Sequence, residues 1–217
     1  MAIERLPLFP LKTVLMPGMV LPLRIFERRY RLMMQRVLAG ERRFGVLLIR
    51  RGEEVGAGAE PYDLGTVAVV TAVEPLGGGL MRISATGSRR FRVTAFHHDE
   101  PYLTGDVEYL SEGWQSSDTL CALQAEVERL SREYVTTVLA LQDGHVGQVQ
   151  LPRDPVALSY TVGGVLAALR PSEAQQLLAS PTVEQRLCME RDLLRRELAI
   201  VGRMAQMAER RGRVSPN

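Results

Sequence analysis

Lysine is almost absent from this 217-residue chain: of its 27 basic residues, 26 are arginine and only Lys12 is lysine. Any mechanism that needs a side-chain amine must use that one residue, and its setting suits none of them. A nucleotide-binding loop ends a glycine-rich turn in Gly-Lys-Ser/Thr, so that backbone N–H groups and the ammonium face phosphate. Lys12 instead lies in Pro10-Leu11-Lys12-Thr13-Val14, with no glycine before it. A Ser-Lys hydrolase needs its amine buried beside a nucleophilic serine, whereas Leu11, Thr13 and Val14 place Lys12 on the outward side of a strand. ATPase, Ser-Lys peptidase and Schiff-base chemistry are all disfavoured. Histidine and cysteine are scarce as well, at three and two. His97, His98 and His145 lack the i, i+4 spacing of a metal pair, and Cys121 and Cys188 form no Cys-x-x-Cys, so no metal site and no cofactor is expected. The two cysteines fall in apolar-periodic segments and read as buried thiols of a reducing compartment.

Long apolar runs are missing too. The longest, Val14 to Leu23, is broken by Pro17, Gly18 and Pro22, short of the roughly 20 residues that span a bilayer. The amino terminus carries Glu4 and Pro7 where a signal peptide needs a basic start and an unbroken apolar stretch, so the cytoplasm is the expected location, with no membrane partner. A net charge of +2 is too small to advertise a polyanion partner. What is present is an ordinary globular composition, 46% apolar and 24% charged, enough to bury a large core without disulfide or metal.

Residues 1–111 read as strands and turns. Leu6 to Leu15 and Val20 to Leu23 are apolar but proline-punctuated, which predicts edge strands joined at Met16-Pro17-Gly18. Ile25 to Leu38 switches to helical period, with Phe26, Tyr30, Met33 and Val37 on one face and Gly40 as the stop. Phe44 to Ile49 is a continuous apolar strand, Arg50 to Tyr62 a long loop, and Gly65 to Pro75 a β-branched run that turns at Gly77-Gly78-Gly79 into Leu80 to Thr86. Arg89 to Val93 and Tyr102 to Leu110 supply the last strands. Six or seven strands and one inserted helix predict a small mixed barrel that hides its edges by closing.

From 112 to 217 the periodicity is helical. Leu120, Leu123, Val127, Leu130 and Tyr134 mark one amphipathic helix after Ser116-Ser117-Asp118, and Asp154-Pro155 opens a second. Ser172 and Gln175 have capping-box spacing for a short third. Ser180-Pro181 starts the longest, with Val183, Leu187, Leu194 and Val201 inward, Arg186, Glu190, Asp192, Arg195 and Arg196 outward, and a fraying end near Met204 and Met207. The expected class is α+β: a mixed β-barrel, then a helical bundle without a polar cluster in its apolar stripes.

An ordered string of motifs resembles a known family. Leu6-Pro7-Leu8-Phe9-Pro10-Leu11, Val14-Leu15-Met16-Pro17-Gly18, Leu21-Pro22-Leu23-Arg24-Ile25-Phe26-Glu27 and Arg29-Tyr30-Arg31-x-Met33 resemble the opening of the Lon protease amino-terminal domain. Phe44-Gly45-Val46, Gly65-Thr66, Arg90-Phe91, Pro101-Tyr102, Leu158-Ser159-Tyr160 and Gln175-Gln176-Leu177-Leu178 continue it to about residue 200. The resemblance implies a PUA-like (pseudouridine-synthase-and-archaeosine-transglycosylase-like) barrel followed by helices, and a role in substrate recognition. It brings no catalytic residues with it. Because the sequence reaches Asn217 without an ATPase module or a Ser-Lys dyad, a stand-alone Lon-domain protein is expected, without proteolytic activity.

Two function classes follow. The first is a non-enzymatic module that binds unfolded polypeptide or a protease or chaperone partner, with Met16, Met19, Val20 and Leu21 bordering the groove; methionines repack around varied partners. The bland alternative is that these side chains fill the core. The second is RNA binding by a basic patch of Arg28, Arg29, Arg89, Arg90 and Arg92 interleaved with Tyr30 and Phe91, against which the 6% aromatic content and the near-zero net charge speak. An enzyme would have to use Glu53, Glu54, Glu60 and Asp63 of the glycine-rich loop, where acids are ordinarily just solvated.

Overall fold

The structure, a computed structural model, describes residues 4–54, 58–141, 149–167 and 170–213. The chain divides into two compact units, Met1–Glu112 with Gly163–Ala179, and Gly113–Val162 with Ser180–Asn217. The helical region expected from 112 onward is thus shared, because Gly163–Ala179 groups with the strands.

In the first unit, β1 (Glu4–Leu11), β2 (Val20–Ile25), β3 (Arg43–Arg51), β4 (Glu60–Gly77), β5 (Leu80–His97) and β6 (Thr104–Tyr109) form one mixed sheet, with α1 (Arg28–Ala39) between β2 and β3. The pairings β1–β3, β3–β4, β4–β5, β5–β6 and β6–β1 make a complete circuit, so five strands close on themselves and β2 hangs on β5 as the one strand with a single neighbour. Only β1–β3 is parallel. Arg89–Val93, expected as a separate strand, is the middle of the 18-residue β5.

Contrary to expectation, β1 is not an edge strand and does not pair with β2. It tolerates Pro7 and Pro10 because it divides its partners: β6 along Glu4–Pro7 and β3 along Leu8–Leu11. Each half therefore keeps one unpaired side, where a missing N–H costs no ladder bond.

Register sorts the side chains into two cores. Leu6, Leu8, Leu47, Val67, Phe91, Val93 and Val107 fill the inside of the closed circuit. Gly45 and Gly65 share that face. A Cβ on Gly45 would lie 2.5 Å from the Phe91 ring, and one on Gly65 2.1 Å from the Val46 carbonyl oxygen. On the outer face α1 buries Tyr30, Met33, Met34 and Val37, at i, i+3, i+4 and i+7, against Phe9, Phe44, Val46, Val70 and Ile83. Phe9 stacks on Tyr30 with centroids 3.9 Å apart and planes 11° from parallel. Each such buried side chain contributes about 1.5–3 kcal/mol. Phe26, expected on this face, precedes the helix and is 53% exposed.

The short helix α4 (Pro171–Ala179) belongs to the same unit. Gln175 is not a capping-box partner of Ser172; it is buried, and its amide donates to the Leu64 carbonyl of β4 at 2.9 Å. Arg90 is buried too, donating to the Leu178 carbonyl (2.6 Å) and pairing with Glu112.

The second unit holds α2 (Asp118–Leu141), most of α3 (Pro155–Ala167) and α5 (Val183–Arg213). Ser117 Oγ caps α2 through the Leu120 amide at 3.1 Å, Asp154 Oδ1 caps α3 through Ala157 at 2.8 Å, and Thr182, rather than Ser180, caps α5 through Gln185 at 3.2 Å. Two expectations fail here. Cys121 is exposed and Cys188 only half-buried, because Leu120, Leu123 and Val127 define the inner face of α2 and Cys121 falls off it. More consequentially, Arg186 and Glu190 point inward and are wholly buried. The Arg186 Nε donates to Ser159 Oγ at 2.8 Å, and its guanidinium lies 4.1 Å from the Tyr160 ring centroid. Both Glu190 carboxyl oxygens are buried with no hydrogen-bond partner among the described residues. Burial pushes the Glu190 carboxyl well above the usual carboxylate range, and the Arg186 guanidinium one turn away offsets only part of that.

Two outcomes follow from these cores. Gly65→Ala is expected to destabilise by about 3 kcal/mol, since the clash is with backbone rather than a yielding side chain; denaturant melts read this directly. For Glu190, the folded unit keeps a proton that the unfolded chain releases above about pH 4.3, so stability falls as pH rises past that value until the folded group itself ionises. Glu190→Gln is expected to flatten this slope in thermal melts between about pH 5 and 8, and an unchanged slope would refute the assignment.

Candidate functional site

The candidate site lies at the edge of β2 that no described strand covers. The chain enters it through a tight turn in which the Met19 amide donates to the Met16 carbonyl (3.0 Å) and Gly18 takes φ +82°, a left-handed conformation that glycine adopts without strain. The turn docks on β5 through Gly18 N–H to the Gly87 carbonyl (2.8 Å) and Gly87 N–H to the Met19 carbonyl (2.9 Å). A Cβ on Gly87 would stand 2.3 Å from the Met16 oxygen, so this docking requires glycine there.

The turn separates the four residues expected to border a groove. Met16 is 0% and Leu21 7% exposed, both core positions in this structure. Met19 is half-buried and packs against the α1-side core. Val20 is 58% exposed. Along β2 the alternation continues, with Val20, Pro22 and Arg24 exposed and Leu21 and Ile25 buried.

Between the β2 edge, the end of β1 and the start of α1 opens a cleft of about 210 Å³. Phe9, Leu11, Ile25 and Tyr30 form its floor; Pro22, Leu23 and Phe26 line its apolar wall; Arg24, Glu27 and Glu54 stand at the rim. Burial pushes the Tyr30 hydroxyl up to about 12, with Arg29 opposing and Glu27 and Glu54 reinforcing, so the ring stays neutral at physiological pH. The rim charges are mostly committed. Glu27 pairs with Arg29 at 3.1 Å, Arg29 donates to the Glu54 carbonyl at 3.0 Å, and the Glu54 carboxylate accepts the Lys12 amide. Arg24 has no ion pair or hydrogen bond among the described residues.

Four of the five arginines of the expected basic patch are engaged within the protein. Arg28 is exposed on α1, while Arg29 is engaged as above. Arg90 is buried under α4, Arg92 lies 3.8 Å from Asp63, and the guanidinium of Arg89 stacks 3.3 Å above the Tyr109 ring. A second hollow of about 390 Å³ contains Arg5, Arg36 and Arg43, and each of them pairs with a carboxylate. The loop acids are likewise dispersed: Glu53 pairs with Lys12, Glu60 with Arg50 and Asp63 with Arg92. Among the described residues no group of three or more His, Cys, Asp or Glu is placed to hold a metal ion. His97 binds Asp106 at 2.9 Å and His98 is exposed, while His145 lies outside the described residues. No described helix is long and apolar enough to cross a membrane.

Residues 5–196 match the ATP-dependent protease La (LON) substrate-binding domain. The chain belongs to this family. Among curated relatives it is 30% identical over 212 residues to Lon protease 2 of Sorangium cellulosum, covering 94% of this chain and 25% of that protein. It is 25% identical over 196 residues to Lon protease 1 of Herpetosiphon aurantiacus, covering 88% and 24%. The chain thus spans about a quarter of the length of the curated relatives it matches. The crystal structure of a Lon N-terminal domain protein from Xanthomonas campestris aligns with a TM-score of 0.59 at 26% identity, over 85% of this chain and 95% of that one. The N-terminal domain of the Mycobacterium avium complex Lon protease shares the fold, with a TM-score of 0.66 at 24% identity over 88% and 98%. A substrate-binding domain is therefore the family role of these residues.

Of the four residues named from the sequence, Met16 and Leu21 are buried, Met19 is half-buried and Val20 is exposed. Phe26, Pro22 and Arg24, which the sequence reading did not name as site residues, line the cleft; the signal for Phe26 is that it sits between a strand and a helix and belongs to the period of neither. Met16→Ala is expected to cost about 2–5 kcal/mol in denaturant unfolding, and Phe26→Ser less than about 0.5 kcal/mol, since the first empties a core position and the second trims an exposed one.

Proposed function

We propose that this chain is a non-catalytic polypeptide-recognition module, and that the edge of β2 with its adjoining cleft receives extended segments of unfolded protein. One observation carries the reading: the unpaired edge of β2 runs directly beside an apolar cleft. An extended peptide satisfies its backbone on such an edge and places alternate side chains in neighbouring hollows. The cleft volume, about 210 Å³, is below the roughly 300–1,000 Å³ of typical small-molecule pockets and suits one or two side chains. Phe26 supplies exposed apolar surface in the cleft wall, and Val20 supplies it further along the β2 edge, in place of the buried Met16 and Leu21. The family role of substrate binding supports the same reading. A protease or chaperone partner would use the same surface.

RNA binding is the weaker reading, since four of the five arginines it needs are engaged within the protein. Fluorescence anisotropy with a labelled, permanently unfolded polypeptide tests the first. Val20→Asp and Phe26→Asp are each expected to weaken binding by about tenfold while leaving the melting temperature unchanged. Undiminished affinity in both variants would overturn the proposal. A parallel titration with labelled RNA is expected to show no binding that declines steeply with salt.

A further inference from the structure

Backbone geometry fixes how a strand would lie on β2. In an antiparallel ladder successive residues direct their N–H and C=O alternately toward the partner and away. Met19 bonds β5 through its carbonyl, so Leu21, Leu23 and Ile25 also face β5, opposite Ala85, Ile83 and Met81. Val20, Pro22 and Arg24 face outward. Proline has no N–H, in keeping with the outward position of Pro22. The free edge therefore offers donors at Val20 and Arg24 alone, four residues and about 13 Å apart.

Charge distinguishes these two anchor points. At the cleft rim Glu27 is held by Arg29, and Glu54 accepts the Lys12 amide. Arg82, directly across the ladder from Arg24, is held by Glu74 at 2.7 Å. The exposed guanidinium of Arg24 is the one rim charge without a partner among the described residues, and it stands at the anchor bordering the apolar cleft.

We infer that the site selects extended segments in which an acidic side chain lies next to the large apolar side chain that fills the cleft, the carboxylate pairing with Arg24 while the backbone pairs with β2. This rests on the polypeptide-recognition reading and adds a sign to it. Exposed ion pairs are weak, so the preference is for acid over a neutral side chain by about two- to fivefold, and against a basic one by a similar factor.

The test uses the full chain and three fluorescein-labelled peptides, identical except for Asp, Asn or Lys beside a single phenylalanine, titrated at low salt. The unmodified protein is expected to bind them in the order Asp, Asn, Lys. Arg24→Glu is expected to reverse the order, Arg24→Gln to abolish it, and about 0.5 M salt to erase it in all three proteins. Measurable binding with the same order in Arg24→Glu, or with no order in the unmodified protein, overturns this inference and leaves the recognition reading standing. Failure of every peptide to bind the unmodified protein removes both. Arg24 is exposed and opposite another arginine, so its replacement relieves a like-charge contact, and unchanged melting of both variants verifies folding.

Discussion

The first unit depends on how little room there is inside a five-strand circuit. Phe91 is fully buried there, in space left by the missing side chain of Gly45 on β3, while Gly65 on β4 leaves room for the Val46 carbonyl and Leu47. Interiors pack at crystal-like density, so an added methyl on either glycine has nowhere to go. Closure in turn decides which strand is left over. Five strands close on one another and β2 is attached to β5 alone, so among the described residues β2 is the strand left with a full-length unpaired edge.

Much of this was legible from residue order. The triple glycine located the β4–β5 hairpin, the change of period located α1, and Ser117 and Asp154 announced the helices they cap. The prolines of β1 misled, because proline normally marks an edge, and only the three-dimensional exchange of one partner for another halfway along the strand explains them. The segment 15–23 was recognisable as unusual, yet which of its apolar side chains face water depends on the docking of a turn onto Gly87, a contact some seventy residues away in sequence that no local pattern encodes.

The buried charges of α5 were illegible for a different reason. Periodicity assigns Arg186 and Glu190 to the solvent because charged residues are expensive to bury. They are inside because Ser159 and Tyr160, on another helix, supply a hydrogen bond and an aromatic face for the guanidinium. Such an arrangement is weak evidence for stability, since well-packed apolar residues often do as well. Its cost falls on Glu190, whose carboxyl is pushed by burial well above the usual carboxylate range.

The missing N–H of Pro22 also bears on crowding. An exposed strand edge invites a second molecule to add its own edge, then a third, and open sheets grow into aggregates by that route. Here the ladder is interrupted at its centre, so two copies meeting edge to edge would each face the other across a gap in the hydrogen-bond row. A short guest held at its ends loses little by that gap, while a second copy meeting it edge to edge would bring a gap of its own; one imino acid thus disfavours pairing of the chain with itself at this margin.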